Sequence, residues 1–355
     1  MDTGTDKSLT PYQLDFFGKT SEYFRIWIVN LTLSILTLGI YSAWAKVRTN
    51  RYFYGSTQLA GSSFQYLADP VKILRGRLIA FLLLVIYLAT TNFVPWLEFV
   101  FIIIFFIILP WILNQALAFR ARNSAYRNIR FGYSATYGEA AGVFVGWFLL
   151  AYFTAMILYP YFAFKKANFI ATHSSYGQQK FGFDAKPGDY FAVYALAVLG
   201  GFILLIVFSV LVGMTIFNLE SMVNGEDVQE NPVLLQFVFM GIGALFLPIY
   251  LFLWSYVEAK STNLFWNNAS SGEHTFTCEL RTGKLFWIYL SNTIGIILSA
   301  GMLIPWAKIR MARYKLTAIN VMVAGSLDEY IANEQQAVAA TSEGMSDVFD
   351  FDIGL

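Results

Sequence analysis

Long stretches without a charged residue constrain this chain more than any other feature. Seven windows of about 20 residues or more contain no Asp, Glu, Lys or Arg: 26–45, 78–97, 99–119, 140–164, 190–219, 231–257 and 285–307. A helix of about 20 residues spans a hydrocarbon core of about 30 Å. A single charge at the centre of a membrane helix costs about 2.5–3.5 kcal/mol. The windows therefore predict an all-α multi-pass membrane protein with about seven hydrophobic helical segments.

The composition excludes several other classes of protein. Hydrophobic residues make up 57% of the 355 residues and charged residues 13%, against about 25% charged in an ordinary soluble domain. These values argue against a soluble enzyme, a disordered protein and a nucleic-acid partner. The single cysteine, Cys278, and two histidines leave no disulfide framework and predict no metal site. Because no Walker, Rossmann, serine-elbow or zinc-helix motif is present, we expect no enzyme activity, catalytic residue or cofactor.

The two ends of the chain differ from the apolar middle. Residues 1–13 are polar, and the N-terminal region lacks the basic and apolar pattern of a secretory signal. Residues 317–355 contain seven acidic residues and no Lys or Arg. We therefore expect a membrane domain over 14–325 and an acidic, disordered tail over 326–355. Docking of a partner on the tail is the alternative.

A nine-residue signature recurs six times along the chain. It has an apolar residue, an aromatic or apolar residue two positions later, then a turn residue followed by a charge. The first two positions of the copies are Leu14 and Phe16, Phe64 and Tyr66, Phe131 and Tyr133, Phe181 and Phe183, Phe276 and Cys278, and Val321 and Val323. Residues two apart share one face of a strand, and the charge then lies at a helix start. The signature predicts short β-segments, each leading into a helix.

A longer repeat relates the two ends of the membrane domain. Residues 39–52 match residues 301–314 at an offset of 262, and Asn30 matches Asn292 at the same offset. The chain therefore reads as internally duplicated, with hydrophobic segments in the order one, two, one, two, one.

Two segments also resemble a known family. Residues 37–44 (TLGIYSAW) with the basic residues that follow them, and residues 130–133 (RFGY), are similar to the YjgN-like family of bacterial inner-membrane proteins, domain of unknown function 898. The resemblance covers roughly 14–325 and leaves the acidic tail outside. It implies a multi-pass protein of the bacterial inner (cytoplasmic) membrane, and it supplies no activity.

The loop charges conflict with seven simple crossings. Segment 92–98 has no Lys or Arg, and segment 217–232 has none but holds four acidic residues, whereas the other loops are basic. By the positive-inside rule, only these two segments are external. The conflict disappears if the first, fourth and seventh windows enter and leave on the cytoplasmic face. All six signature copies and the acidic tail then share that face, where the short strands pair into a small sheet. A seven-crossing bundle with inverted repeats is the alternative.

A tryptophan with three basic residues occurs at a membrane exit in both halves of the long repeat. The two groups are Trp44, Lys46, Arg48 and Arg51, and Trp306, Lys308, Arg310 and Arg313. Trp favours the headgroup region, and each cation near an anionic surface gains about 1 kcal/mol. We interpret these residues as anchors in the lipid bilayer or as ligands of anionic lipid headgroups.

Polar and small residues inside the windows supply the remaining candidates. Four amide side chains are candidate intramembrane contacts, either between helices or along a transport path: Asn30, Asn114, Gln115 and Asn292. As repeat mates, Asn30 and Asn292 are expected to meet near a pseudo-symmetry axis. The spacing of Gly138, Gly142 and Gly146 predicts close helix packing, with homo-oligomerisation through the same face as a further option.

The sequence leaves two functions open. Internal duplication and proline-containing helices favour a transporter or channel-like protein for a small solute or lipid. The alternative is a non-catalytic membrane scaffold whose cytoplasmic β-segments and basic helices bind a partner or anionic lipid. A transporter would need a polar path through the bundle, whereas a scaffold predicts a dry, tightly packed interior and a single cytoplasmic platform.

Overall fold

The structure is a computed structural model that describes residues 9–94, 96–222 and 232–349. The chain forms two compact units. The first comprises Met1–Ala185, Phe265–Cys278 and Pro305–Leu355, and the second comprises Lys186–Leu264 and Glu279–Ile304. The first residue of window 231–257, most of the acidic segment 217–232 and the last six residues of the tail lie outside the described residues.

A closed β-barrel forms the centre of the first unit. Its ten strands among the described residues are β1 (Leu9–Phe16), β2 (Thr57–Leu59), β3 (Ser62–Tyr66), β4 (Ser124–Tyr126), β5 (Ile129–Tyr133), β6 (Ser174–Tyr176), β7 (Gln179–Phe183), β8 (Ala269–Ser271), β9 (His274–Cys278) and β10 (Ile319–Ala324). Every neighbouring pair is antiparallel. The barrel closes because β1 pairs with β10 on one side and with β2 on the other.

Tight turns set the register of four hairpins within the barrel. Two residues separate β2 from β3, β4 from β5, β6 from β7 and β8 from β9. At the first two turns both residues have positive φ: Ala60 and Gly61, and Arg127 and Asn128. Such turns match the right-handed twist of the flanking strands.

Five helical connections join the hairpins. The helices are α1 (Thr20–Leu36) and α2 (Ser42–Gly55) between β1 and β2; α3 (Pro70–Phe93) and α4 (Leu97–Arg122) between β3 and β4; α5 (Tyr137–Ala141), a π-helical segment (Gly142–Trp147), α6 (Phe148–Phe153) and α7 (Tyr159–Thr172) between β5 and β6; α8 (Pro187–Met222) and α9 (Pro232–Asn267) between β7 and β8; and α10 (Thr282–Leu298) and α11 (Ile304–Leu316) between β9 and β10. A last helix, α12 (Leu327–Phe349), follows β10.

The same turn interrupts the first, fourth and seventh windows. The amide N–H of Gly39, Met156 or Gly301 donates to the carbonyl five residues earlier, at 2.7–2.8 Å. In each turn this residue and the one before it have positive φ. These turns end α1, α6 and α10, so none of the three windows is one continuous helix.

The predicted fold class is therefore wrong. The chain is not all-α with seven spans, because ten strands close a barrel and three windows are broken by a turn. Within the described residues, three helices are long and apolar enough to cross a membrane: Pro70–Asn92, Leu97–Arg122 and Pro187–Met214. Absence of charge over 20 residues is necessary for a spanning helix, but it does not ensure a continuous one.

The six signature copies all lie on barrel strands. They occupy β1, β3, β5, β7, β9 and β10. Among these, only β1 with β10 and β9 with β10 pair directly. The others pair with the short strands between them, so a closed barrel replaces the predicted small sheet. The short partner strands β2, β4, β6 and β8 have three residues each and were not predicted.

A helix replaces most of the predicted disordered tail. α12 extends from Leu327 to Phe349, and its first turns pack on the barrel through Leu327 and Ile331, which are buried. Two of its acidic residues contact the barrel: Asp328 forms an ion pair with Arg127, and Glu334 accepts hydrogen bonds from a barrel turn.

Candidate functional site

The barrel encloses an apolar cavity of about 160 Å³. The first residue of each signature copy lines it: Leu14, Phe64, Phe131, Phe181, Phe276 and Val321. These side chains converge because the same register position of each strand faces the interior of a closed barrel. The repeated signature therefore encodes one surface, which we call the lumen wall.

A second cavity of about 420 Å³ adjoins the first. It is bordered by residues from the ends of four helices, among them Tyr54, Arg120, Ile170 and Phe265. The two cavities share five aromatic side chains: Phe64, Phe131, Phe181, Trp266 and Phe276. These five side chains, here called the aromatic cluster, form the boundary between the two cavities. The upper cavity lies beside α12, and the lower cavity lies beside the helix ends.

Polar groups of the lumen are paired mainly within the barrel. The Tyr126 hydroxyl donates to the Leu59 carbonyl at 2.7 Å, and the Tyr176 hydroxyl donates to the Tyr126 carbonyl at 3.1 Å. His274 Nδ1 accepts from the Ala324 amide at 3.1 Å, which places the proton of a neutral imidazole on Nε2. Burial raises the pKa of the Tyr176 hydroxyl, so this wall is neutral at physiological pH.

One hydroxyl beside the lower cavity differs from these. The Tyr133 hydroxyl is buried and has no hydrogen-bond partner. Burial, together with the charge of Glu139, raises its pKa to about 12. An unpaired buried hydroxyl costs about 1–3 kcal/mol, and it adds a polar contact to a wall that also includes Arg120 and three serines.

Helix α12 closes the upper cavity. Leu327, Tyr330 and Ile331 line the cavity, and the Tyr330 hydroxyl hydrogen-bonds Ser271 at 3.0 Å. The Tyr330 ring packs edge-on against His274 with centroids 4.2 Å apart. One face of the helix therefore covers the barrel end, so we call it the plug helix.

Charged groups at the rim hold the plug helix in place. The Glu334 carboxylate accepts from the backbone amides of Gln178 at 2.9 Å and Gln179 at 3.3 Å. The Gln335 side chain donates to the Arg127 carbonyl at 3.1 Å, and Arg127 also pairs with Asp328. Hydrogen bonds to a charged partner are worth about 1.5–3 kcal/mol each, so the plug is latched at two barrel turns.

Several predicted site residues donate hydrogen bonds to backbone carbonyls just beyond barrel strands. Arg51 and Arg313 donate to the Ala68 and Gly18 carbonyls at 3.5 and 2.9 Å. Asn114 donates to the Ala135 carbonyl at 2.7 Å. Each acceptor lies two residues beyond the second position of a signature copy, where the strand ends and its carbonyl needs a new donor.

In the second unit, Asn263 makes the equivalent contact. Its side chain donates to the Leu280 carbonyl at 3.0 Å, two residues beyond Cys278. Asn263 was not among the predicted site residues. Its position six residues before β8, matching Arg51 before β2 and Arg313 before β10, is the signal that identifies it.

The remaining members of the basic groups separate into two sets. Lys46 and Lys308 line one cavity of about 360 Å³ together with Asn30. Trp44 stacks on Tyr41, while Arg310 lies over the Trp306 ring at 5.1 Å, and Arg48 is exposed. The two tryptophans and Arg310 thus pack near their own helix ends, and only the lysines converge.

The other candidates remain predictions. Asn292 is buried, and Gln115 is exposed. Among the described residues, a side chain added at Gly138 or Gly142 would meet nothing within 4 Å, and one added at Gly146 would meet the Ala141 carbonyl at 3.8 Å. Dimerisation through these glycines stays a prediction.

Comparison with known proteins gives the family. Residues 11–348 match the family described as "Bacterial protein of unknown function (DUF898)". The chain belongs to this family. The match includes most of α12, which the sequence analysis had placed outside it. No solved structure matches the chain.

Relatives of this DUF898 protein are named for their membrane. "Inner membrane protein YjgN" of Salmonella typhimurium is 24% identical over 358 aligned positions, covering 89% of each chain. The protein of the same name from Escherichia coli O157:H7 is 26% identical over 122 positions, covering 34% of this chain and 31% of its own length. Together with the three apolar helices, these names support an inner-membrane location and assign no activity.

Proposed function

We propose that this DUF898 protein is a transporter or channel-like protein whose barrel lumen is the path of an apolar or amphipathic molecule such as a lipid. One observation carries the proposal: six positions spread over the chain, from Leu14 to Val321, line a single lumen. If these residues formed only a structural core, no cavity should remain where they meet, because protein interiors are normally packed to the density of organic crystals.

The lining favours an apolar occupant. Among the described residues that line the upper cavity, none is Asp, Glu, Lys or Arg. An ion or strongly polar solute would lose its hydration there without replacement partners. Hydrophobic constrictions of this kind gate a pore by excluding water. The aromatic cluster provides such a constriction between the two cavities. The plug helix provides a second closure.

The proposed orientation places the barrel on the cytoplasmic side. Its strands have three to eight residues, too few for the 9–11 residues of a membrane-spanning strand. The barrel therefore lies outside the hydrocarbon. Helices α3 and α4 leave and return to adjacent barrel strands, which fits a hairpin that crosses twice. The excess of Lys and Arg in the loops favours the cytoplasm.

A lipid-translocation assay tests this function. The full chain is reconstituted in vesicles with a phosphatidylglycerol that carries a nitrobenzoxadiazole label, and external dithionite reduces the label in the outer leaflet. We expect the label to be reduced beyond the outer-leaflet fraction. Reduction should be faster when Phe131→Ala widens the aromatic cluster or when Glu334→Ala releases the plug helix. Equal traces for both variants, the wild type and protein-free vesicles would refute a lipid path.

The scaffold function is the alternative, and one observation favours it. The plug helix closes the barrel at one end and the aromatic cluster narrows it, as expected of a static platform. A scaffold predicts no translocation by any variant, while the plug helix and barrel remain folded. The same vesicles therefore separate the two functions.

A further inference from the structure

A cavity of about 360 Å³ is lined by residues of α1 and α2 and by Lys308 of α11. It shares no lining residue with either cavity of the barrel. Lys46 and Lys308, which are 262 residues apart in sequence, both line it. Among its described lining residues there is no Asp or Glu, so the cavity carries two positive charges and attracts an anion.

A buried amide oxygen in the same cavity has no partner. Asn30 is 6% exposed, and its Nδ2 donates to the Ala45 carbonyl at 3.4 Å and to Thr49 Oγ1 at 3.5 Å. The Ala45 carbonyl can only accept, so it orients the amide and leaves Oδ1 without a hydrogen bond. An unpaired buried acceptor is costly, and a hydrogen-bond donor on a bound ligand would satisfy it.

The walls of the cavity suit an amphipathic ligand. Tyr23 and Trp27 line one side, and the lining residue Leu31 is an exposed apolar side chain on α1. A ligand headgroup would therefore meet lysines and an amide, while an attached apolar chain would lie along α1. Aromatic side chains with a polar edge are favoured at this kind of boundary.

We propose that this cavity binds a phosphate group that carries a hydroxyl, as in a glycerophosphate headgroup. The phosphate lies between the ammonium groups of Lys46 and Lys308, and the hydroxyl donates to Asn30 Oδ1. The required ligand is a membrane phosphatidylglycerol or a soluble glycerol phosphate, which share this chemistry. The site is independent of any path through the lumen.

Native mass spectrometry of the full chain in detergent tests the site. The protein is titrated with phosphatidylglycerol, phosphatidic acid and phosphatidylcholine that carry the same acyl chains. We expect phosphatidylglycerol to bind most tightly. Loss of each lysine in Lys46→Gln and Lys308→Gln should weaken it about fivefold. Lys72→Gln is the matched control, because Lys72 is also exposed at a helix start.

The Asn30 variant separates the hydroxyl from the phosphate. Asn30→Ala should bring the affinity for phosphatidylglycerol down to that for phosphatidic acid, which has no headgroup hydroxyl, and leave phosphatidic acid binding unchanged. If Asn30→Ala does not fold, the lysine variants alone decide, since both side chains are exposed.

Three outcomes are informative. Displacement of phosphatidylglycerol by excess glycerol 1-phosphate, with loss in the double lysine variant, supports a soluble ligand. Lack of displacement with the same loss supports a lipid. A double lysine variant that binds every lipid as Lys72→Gln does would overturn the site.

Discussion

Release of the plug helix by Glu334→Ala is the perturbation that the structure defines best. The Glu334 carboxylate accepts two backbone hydrogen bonds at the barrel rim, at 2.9 and 3.3 Å. The shorter bond is worth about 1.5–3 kcal/mol for a charged acceptor, and the partial exposure of Glu334 reduces this. We therefore expect a loss of about 2 kcal/mol in docking free energy, equivalent to an opening equilibrium about 30-fold larger.

Amide hydrogen exchange measures this opening. In Glu334→Ala, exchange over 327–339 should be about 30-fold faster, while the strands keep their protection because only α12 undocks. Glu329→Ala is the control, because Glu329 is exposed on the same helix and its substitution removes the same negative charge. Equal exchange in the two variants, or equal loss of protection in helix and strands, would refute the latch.

Three further predictions concern stability in detergent, measured by thermal or denaturant unfolding. Asn114→Leu should lower the free energy of unfolding by about 1–2 kcal/mol, because the Ala135 carbonyl loses its donor. Gln115→Leu, at the exposed neighbouring position, should lower it little, and equal losses would contradict a stabilising role of the Asn114 hydrogen bond. Gly39→Ala should lower the free energy of unfolding by about 1–2 kcal/mol, because φ is +90° there. Gly55→Ala, at a helical position, should not lower it, and an unchanged stability of Gly39→Ala would show that the turn tolerates a side chain. Since burial raises the pKa of Tyr176 above 10.0, the folded state holds its proton longer and stability should fall as pH rises above about 10; Tyr176→Phe should flatten that fall, and an unchanged slope would argue against the burial.

The strands were predictable where the sequence repeats them. Two apolar residues two positions apart, followed by a helix start, located β1, β3, β5, β7, β9 and β10. The partner strands have three residues each, too few for a periodic pattern, although Gly61, Gly177 and Gly272 at three of the turns are hairpin signals. Barrel closure was not predictable, because it depends on pairing of β1 with β10 across about 300 residues.

The broken windows show the limit of hydropathy. Gly39 and Gly301 mark two of the three turns, but the third is formed by Ala155 and Met156 with positive φ, which no sequence signal indicates. Long-range packing imposes such a conformation against the local preference.

The site candidates divide in the same way. The long repeat predicted Lys46 and Lys308 as equivalent positions, and both line one cavity. It could not tell them from Arg51 and Arg313, because the choice between cavity and barrel carbonyl depends on the helix face that tertiary packing selects. The plug helix was missed because its acidic residues were counted without their helical spacing, although Leu327, Ile331 and Glu334 are spaced to share one helix face.

A side-of-membrane map tests the central claim that the whole barrel lies on one, cytoplasmic, side. Cys278 is replaced by Ser, and single cysteines are placed at exposed barrel positions and in the acidic segment: Ala60, Ser134, Gln178, Thr275, Ser326 and Asn224. Intact cells are labelled with an impermeant thiol reagent, with lysed cells as the control. We predict that Asn224→Cys alone labels in intact cells and that all six label after lysis. External labelling at Gln178→Cys, without labelling at Asn224→Cys, would contradict the account.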